Sequence, residues 1–297
     1  MHAETGNAIT IRFALPAPEL RPFITTYYRT DVLCSPSHGW VEDYLHPEWP
    51  NLRFVGTTRA QAAIGGSELL DSPSFSVTGP TSRATRFRVR SGRSWGIGLM
   101  PLGWAALTRA TARDYADRFV DGLADPKFAA FHPLAEALAG SDGDFQEELS
   151  LIERHIAALK PDANGSAEII TTINTALVDP EIDTVADLAE RVGMNIRSLE
   201  RHTRRVFGFT PKLLLRRQRF LRSLAQFMLD PSMNWLSTLD YQYYDQAHFV
   251  RDFKRFMGMS PSAYAKLDKP FLVAAARARM EIAGEAVQGL HEPAAAS

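Results

Sequence analysis

Shifted by 50 positions against itself, the C-terminal part of the sequence repeats its own chemistry. Leu199 falls on Phe249, Arg201 on Arg251, Arg204 on Lys254, Arg205 on Arg255, Gly208 on Gly258 and Pro211 on Pro261. Each copy reads as a basic amphipathic helix ended by glycine. Thr210 or Ser260 follows two residues later and then proline, which stops one helix and caps the next. The chain therefore holds two copies of one helical unit, each with a further helix running on from it.

The unit can be read in detail. Thr184 caps a short helix, Val185 to Arg191, with Val185, Leu188, Ala189 and Val192 at inward spacing, and Gly193 supplies a left-handed turn. Asn195 caps a second helix, which places Ile196, Leu199, Thr203 and Val206 on one face and Arg197, Glu200, Arg201 and Arg204 on the other. A short helix, a tight turn and a second helix with a guanidinium stripe predict a helix-turn-helix, whose second helix fits the DNA major groove. In the second copy Asp245 caps, Phe249, Phe253 and Phe256 face inward, and Ala247, Val250, Arg251 and Lys254 face outward. Pro211 to Leu229 is predicted as one linking helix of 19 residues, stopped by Pro231. It would be about 28 Å long at about 1.5 Å per residue, close to one DNA turn of about 34 Å, so both reading helices can enter successive groove segments.

Charge supports this reading only when it is resolved along the chain. The net charge is -1, yet from Arg191 to Arg222 ten basic side chains face one acid, Glu200, while residues 1–164 hold 16 basic and 19 acidic ones. A phosphate-facing surface needs such a local excess. The competing interpretation is a helical hairpin with a solvated basic face.

Residues 182–264 resemble the DNA-binding domain of the AraC/XylS family of bacterial transcription regulators. The stretch that carries the likeness is Tyr243-Tyr244-Asp245-Gln246-Ala247-His248-Phe249-Val250-Arg251-Asp252-Phe253-Lys254-Arg255-Phe256-Met257-Gly258-Met259-Ser260-Pro261-Ser262-Ala263-Tyr264. The resemblance implies that Arg197, Glu200 and Arg201 in the first unit and Gln246, Ala247 and Arg251 in the second face bases; with Ser198, Arg204 and Lys254 they form the candidate DNA-binding set. It departs from the family before the second reading helix, where Ser237, Thr238 and Gln242 replace the usual Ile-Ala and turn Gly. It implies double-stranded DNA and RNA polymerase as partners, activation or repression of transcription, and an N-terminal domain that senses a small molecule or forms a homodimer.

The rest of the chain says less. Residues 1 to about 110 read as mainly β, with runs such as Ile9–Phe13, Asn51–Val55, Phe75–Val77 and Trp95–Leu99 between Pro and Gly; helical spacing then carries Leu134, Leu138, Leu149, Ile152, Ile156 and Leu159 to Lys160. Pro161 to Ser166 reads as a linker. The expected fold is α+β: a β-rich sensing or dimerisation domain with trailing helices over 1–160, an all-α domain of two helix-turn-helix units joined by a long helix over 166–268, and a helical tail over 269–297 with an amphipathic stretch from Phe271 to Val287. Trp40, Tyr44, Trp49, Phe54, Phe87 and Trp95 are either pocket-lining or core residues, and Arg86, Arg88 and Arg90 share a strand face that either meets a carboxylate effector or faces water. His38, Glu42, His46 and Glu48 have no regular metal-site spacing, so neither metal nor cofactor is expected. The alternative function, a helix-turn-helix protein with an enzymatic N-terminal domain such as a DNA repair protein, needs a nucleophile. Cys34 is the one cysteine, suited to packing, and no phosphate-loop or Gly-x-Ser-x-Gly pattern occurs. A scaffold has no use for the arginine stripe. With no leader-like N-terminus and no run of about 18 apolar residues, the expected location is the cytoplasm.

Overall fold

Period-two alternation makes the first part of the chain into strands that show one face to a core. In Thr85-Arg86-Phe87-Arg88-Val89, Phe87 is buried while Arg86 lies on the opposite, exposed face. The computed structural model describes residues 7–35, 39–56, 58–162, 165–229, 240 and 243–293. Its strands are β1 (Ala8–Ala14), β2 (Ile24–Leu33), β3 (Val41–Leu45), β4 (Asn51–Phe54), β5 (Ala60–Ile64), β6 (Leu70–Asp71), β7 (Phe75–Thr78), β8 (Thr85–Val89), β9 (Gly92–Leu99) and β10 (Phe119–Asp121). They form two sheets with antiparallel pairing, ordered β1-β2-β9-β4-β7-β10 and β3-β8-β5-β6.

Helices α1 (Pro101–Leu107), α2 (Ala112–Tyr115), α3 (His132–Ala139) and α4 (Phe145–Ala158) follow. Leu134, Leu138, Ile152 and Ile156 join Phe75, Trp95 and Ile97 of the larger sheet in one core, as the helical spacing requires. Then come α5 (Ala167–Val178), α6 (Val185–Arg191), α7 (Ile196–Phe207), α8 (Pro211–Leu229), α9 (Gln246–Met257), α10 (Pro261–Ala265) and α11 (Pro270–Ala283), with a final 3-10 turn at Gln288–Leu290. The tail helix thus ends at Gly284, short of Val287.

The expected boundary near residues 161–166 falls between α4 and α5, but the cores continue across it. Trp49 and Leu102 of the first part pack with Ile173, Leu188, Leu199 and Phe207; the rings of Trp49 and Phe207 meet edge-on at 5.8 Å. Ala84 joins the core of α8, α9 and α11, and its N–H donates to the carbonyl of Phe256 at 2.6 Å. No described helix is long and apolar enough to cross a membrane.

Candidate nucleic-acid interface and a cavity between the sheets

Sequence dictates both reading helices from their ends inward. Thr184 and Asp187 form a reciprocal capping box on α6, Gly193 takes a positive φ of 64°, and Asn195 Oδ1 accepts from Ser198 N–H at 2.9 Å to start α7. Asp245 does the same for α9 through His248 N–H. The repeat is preserved in the backbone, since Gly208 and Gly258 close the two helices in the left-handed region at φ 84° and 73°. Gly208 also has a packing reason: a Cβ there would stand 2.7 Å from Pro80.

Leu199 and Thr203 of α7 are fully buried, whereas Arg197, Glu200, Arg201, Arg204 and Arg205 are exposed. None of these five side chains makes a hydrogen bond or ion pair with the described residues, so their donors and acceptor are open to a partner. Ser198 is half-buried. On α9, Phe249, Phe253 and Phe256 are buried, and Gln246, Ala247, Arg251 and Lys254 are exposed.

Three expectations need correction. Ile196, expected on the packed face, is 49% exposed: it is the first helical residue, and side chains lean toward the helix N-terminus, beyond the packed turn. Val250 was placed outward but is half-buried against the aromatic core, because it adjoins Phe249 and lies three residues before Phe253, at the edge of the inner face. The third concerns the basic run. Arg216 pairs with Asp252, Arg219 with Asp183 at 2.9 Å, and Arg222 with Asp240. Arg217 is wholly buried, 3.8 Å over the Trp49 ring, and donates to the Thr81 carbonyl at 3.1 Å; burial lowers its pKa to about 9. Charge counting cannot separate these side chains from those of α7, because it does not see which meet a carboxylate or an aromatic ring brought in from elsewhere in the chain. Arg205 and Lys212, exposed but outside the expected set, belong to the same run. Ser237, Thr238, Gln242 and Pro231, and with them the leading helix of the second unit, lie outside the described residues.

A cavity of about 170 Å³ lies between the two sheets, closed on one side by α11. Phe87 and Trp95 line it; Trp49 and Phe54 are core residues elsewhere. Trp40 instead lies under the guanidiniums of Arg88 and Arg90 at 4.6 and 4.7 Å, while Arg86 pairs with Glu42 at 2.7 Å and Arg88 donates to Gln61 at 2.6 Å. That arginine face is therefore engaged with its own neighbours. His46 hydrogen-bonds Tyr264 at 2.8 Å, with its pKa driven down by burial to about 3, and Glu48 pairs with Arg53. No group of three or more His, Cys, Asp or Glu among the described residues is placed to hold a metal ion. His38 lies outside those residues.

A family model described as a helix-turn-helix domain matches residues 188–267. No curated protein matches the chain. Among solved structures, ToxT from Vibrio cholerae is similar at 10% identity, with 88% of this chain and 98% of that one covered and a TM-score of 0.43. The AraC-like transcriptional activator CuxR is similar at 13% identity over 73% of this chain and 87% of that one, with a TM-score of 0.27. Residues 188–267 thus match a helix-turn-helix domain, the unit that the capped helices α6 and α7 build and whose second helix α9 repeats.

Proposed function

We propose that the chain reads two adjacent major-groove segments of double-stranded DNA with α7 and α9, and that a small molecule in the cavity between the sheets adjusts this reading. The observation that carries it is the exposed, unpaired set on α7 beside a buried opposite face. Arg197 and Arg201 can each pair bidentately with guanine, and Glu200 can accept from cytosine; Gln246 suits adenine, and Ala247 the thymine methyl. Arg251 faces a base beside them, and Arg204 and Lys254 then serve phosphates. Helix α8, with 19 residues, sets the spacing between the two readers. Residues 1–160 form the sensing part and 166–268 the reading part, and RNA polymerase is the partner whose access a chain bound at a promoter changes.

The cavity reaches α8 by two routes. Glu48, whose carboxylate pairs with Arg53 in the cavity wall, offers its backbone carbonyl to Arg217 at 3.5 Å, and Gln218 donates to the Gly289 carbonyl at 2.6 Å. The test is selection from a randomised duplex pool with the full chain, followed by a salt series on the selected and a scrambled site. A regulator of this kind keeps its preference as salt rises, while its total affinity falls with a slope set by its phosphate contacts. Equal affinity for the two sites at every salt concentration would leave only non-specific binding.

A further inference from the structure

Residues beyond 267 lie outside the matched helix-turn-helix domain, yet they are built into the opposite half of the molecule. Helix α11 packs along β1 and β3, and Phe271, Leu272, Ala275, Ala276, Arg279 and Gln288 supply one wall of the cavity. The helix start is tied to β3 by Leu272 N–H, which donates to Asp43 Oδ2 at 2.9 Å.

Arg279 is the anomaly in this wall. It is 8% exposed; its Nη1 donates to Thr26 Oγ1 at 3.0 Å and its guanidinium stands 4.6 Å from the Phe13 ring centroid. Among the described residues no carboxylate lies within 4.0 Å of it. The charged side chains lining the cavity are Glu48, Arg53 and Arg279, with His46 held neutral by burial, and Glu48 is already taken by Arg53 at 2.5 Å. One positive charge is left over in a partly open, mostly apolar space. Burial lowers its pKa to about 10, so it stays protonated at neutral pH. An unneutralised buried cation is costly, and an apolar side chain of the same length would fill the wall without that cost.

We propose that the cavity takes a small monoanion with an apolar body, that its acid group pairs with Arg279, and that this pairing sets the position of the C-terminal tail and, through the tail, of α8. The inference rests on the reading of the cavity as an effector site. The volume, about 170 Å³, is close to that of a cavity of about 150 Å³ known to hold benzene, which limits the body to one ring or a short chain. Charge-assisted pairing is the strong interaction such a ligand can make there. The mechanical link is direct. Gln288 takes a hydrogen bond from Asn51 at 3.0 Å and gives one to Thr25 at 3.3 Å, on the floor of the larger sheet. The sheet is cut away for it, since a Cβ at Gly98 would stand 2.5 Å from Gln288 Nε2. The next residue, Gly289, accepts from Gln218 of α8, the helix from which both reading units hang. An anion drawn to Arg279 therefore acts on a strap that joins the sensing sheets to the reading helices.

The probes are octanoate, octanol and octylamine, titrated into the full chain by calorimetry, with affinity for the selected duplex followed in parallel. The expected ranking is octanoate over octanol by about tenfold or more, with octylamine weakest. Arg279→Met lowers octanoate to the level of octanol and leaves octanol unchanged, while Arg279→Lys keeps part of the preference. Octanoate shifts the wild-type affinity for the duplex several-fold and leaves that of Arg279→Met unmoved. Should Arg279→Met fail to fold, the wild-type ranking still decides. Equal binding of acid and alcohol, no binding of either, or a preference that survives in folded Arg279→Met overturns the proposal. An acid that binds with the expected ranking but does not shift duplex affinity overturns the strap and leaves DNA reading intact. Loss of site preference without any ligand instead removes the DNA-reading proposal and leaves the acid ranking measurable.

Discussion

Helix α7 carries Arg197, Arg201, Arg204 and Arg205 exposed and unpaired among the described residues. Arg216, Arg217, Arg219 and Arg222 of α8, drawn from the same basic run, are held in ion pairs or stacked on Trp49. The two helices are neighbours in sequence, and they differ in what lies beside them. Helix α7 has one buried face and one open face; α8 is covered by α9, the tail and the segments that carry Trp49 and Ala84. The same residue type is a free donor array in one place and a fastening in the other. A basic run in a DNA-binding chain therefore divides into groups whose loss should be read by different instruments.

The comparison is broken most severely at Asp252. Its carboxylate is fully buried, pairs with Arg216, and lies within 4.0 Å of Arg219 and 3.9 Å of His248. Asp252→Ala leaves Arg216 without its acid, and Arg219 with Asp183 alone, and is expected to cost about 2–4 kcal/mol of stability in chemical denaturation, at the lower end because Arg216 is partly exposed. Arg217→Ala comes next. It opens a void under Trp49 and strands the Thr81 carbonyl, for about 1–3 kcal/mol, but also removes a poorly solvated charge. Its Nε and Nη2 have no partner among the described residues. Arg217→Met, which keeps the volume, is therefore expected to lie within about 1 kcal/mol of wild type; equal losses for Met and Ala would show that the charge itself holds the interface.

Smaller effects sharpen the contrast between α7 and α9. On matching outward positions α7 offers Arg197, Glu200, Arg201 and Arg204, and α9 offers Ala247, Arg251 and Lys254, with Val250 partly withdrawn into the core. Arg197→Ala is expected to relax base preference in its half-site by about 1–3 kcal/mol. Arg251→Ala should relax base preference in its own half-site by less, because its neighbours Ala247 and Val250 offer no directional pair. A larger loss of base preference for Arg251→Ala would reverse the ranking of the two units.

Much of this was legible in the sequence, for physical reasons. Caps at Thr184, Asn195, Asp245 and Ser260, with glycines at 208 and 258, fix helix ends locally, so both reading helices and the length of α8 could be placed from the chain alone. Short apolar runs between Pro and Gly did the same for β1, β4, β7 and β9. Contacts that close over long sequence separations were not legible. Arg217 meeting Thr81, Gln218 meeting Gly289 and Arg279 meeting Thr26 span 136, 71 and 253 positions. No local pattern marks an arginine that will lie against a distant sheet, and the tail, read as an amphipathic stretch of open role, supplies a cavity wall for the same reason. Helix α5 is a different case: Ile170, Ile173 and Leu177 carry its spacing, but no side chain caps its start at Ser166.

If α7 reads bases with side chains the fold does not need, Arg201→Ala separates recognition from stability, through thermal unfolding and randomised-site selection on the same preparation. Unchanged unfolding, together with loss of a guanine preference at one half-site and about 1–3 kcal/mol weaker binding to the wild-type site, is the predicted result. An unchanged selected sequence and affinity at normal stability would contradict it and assign the arginines of α7 to phosphate contact alone or to no contact with DNA.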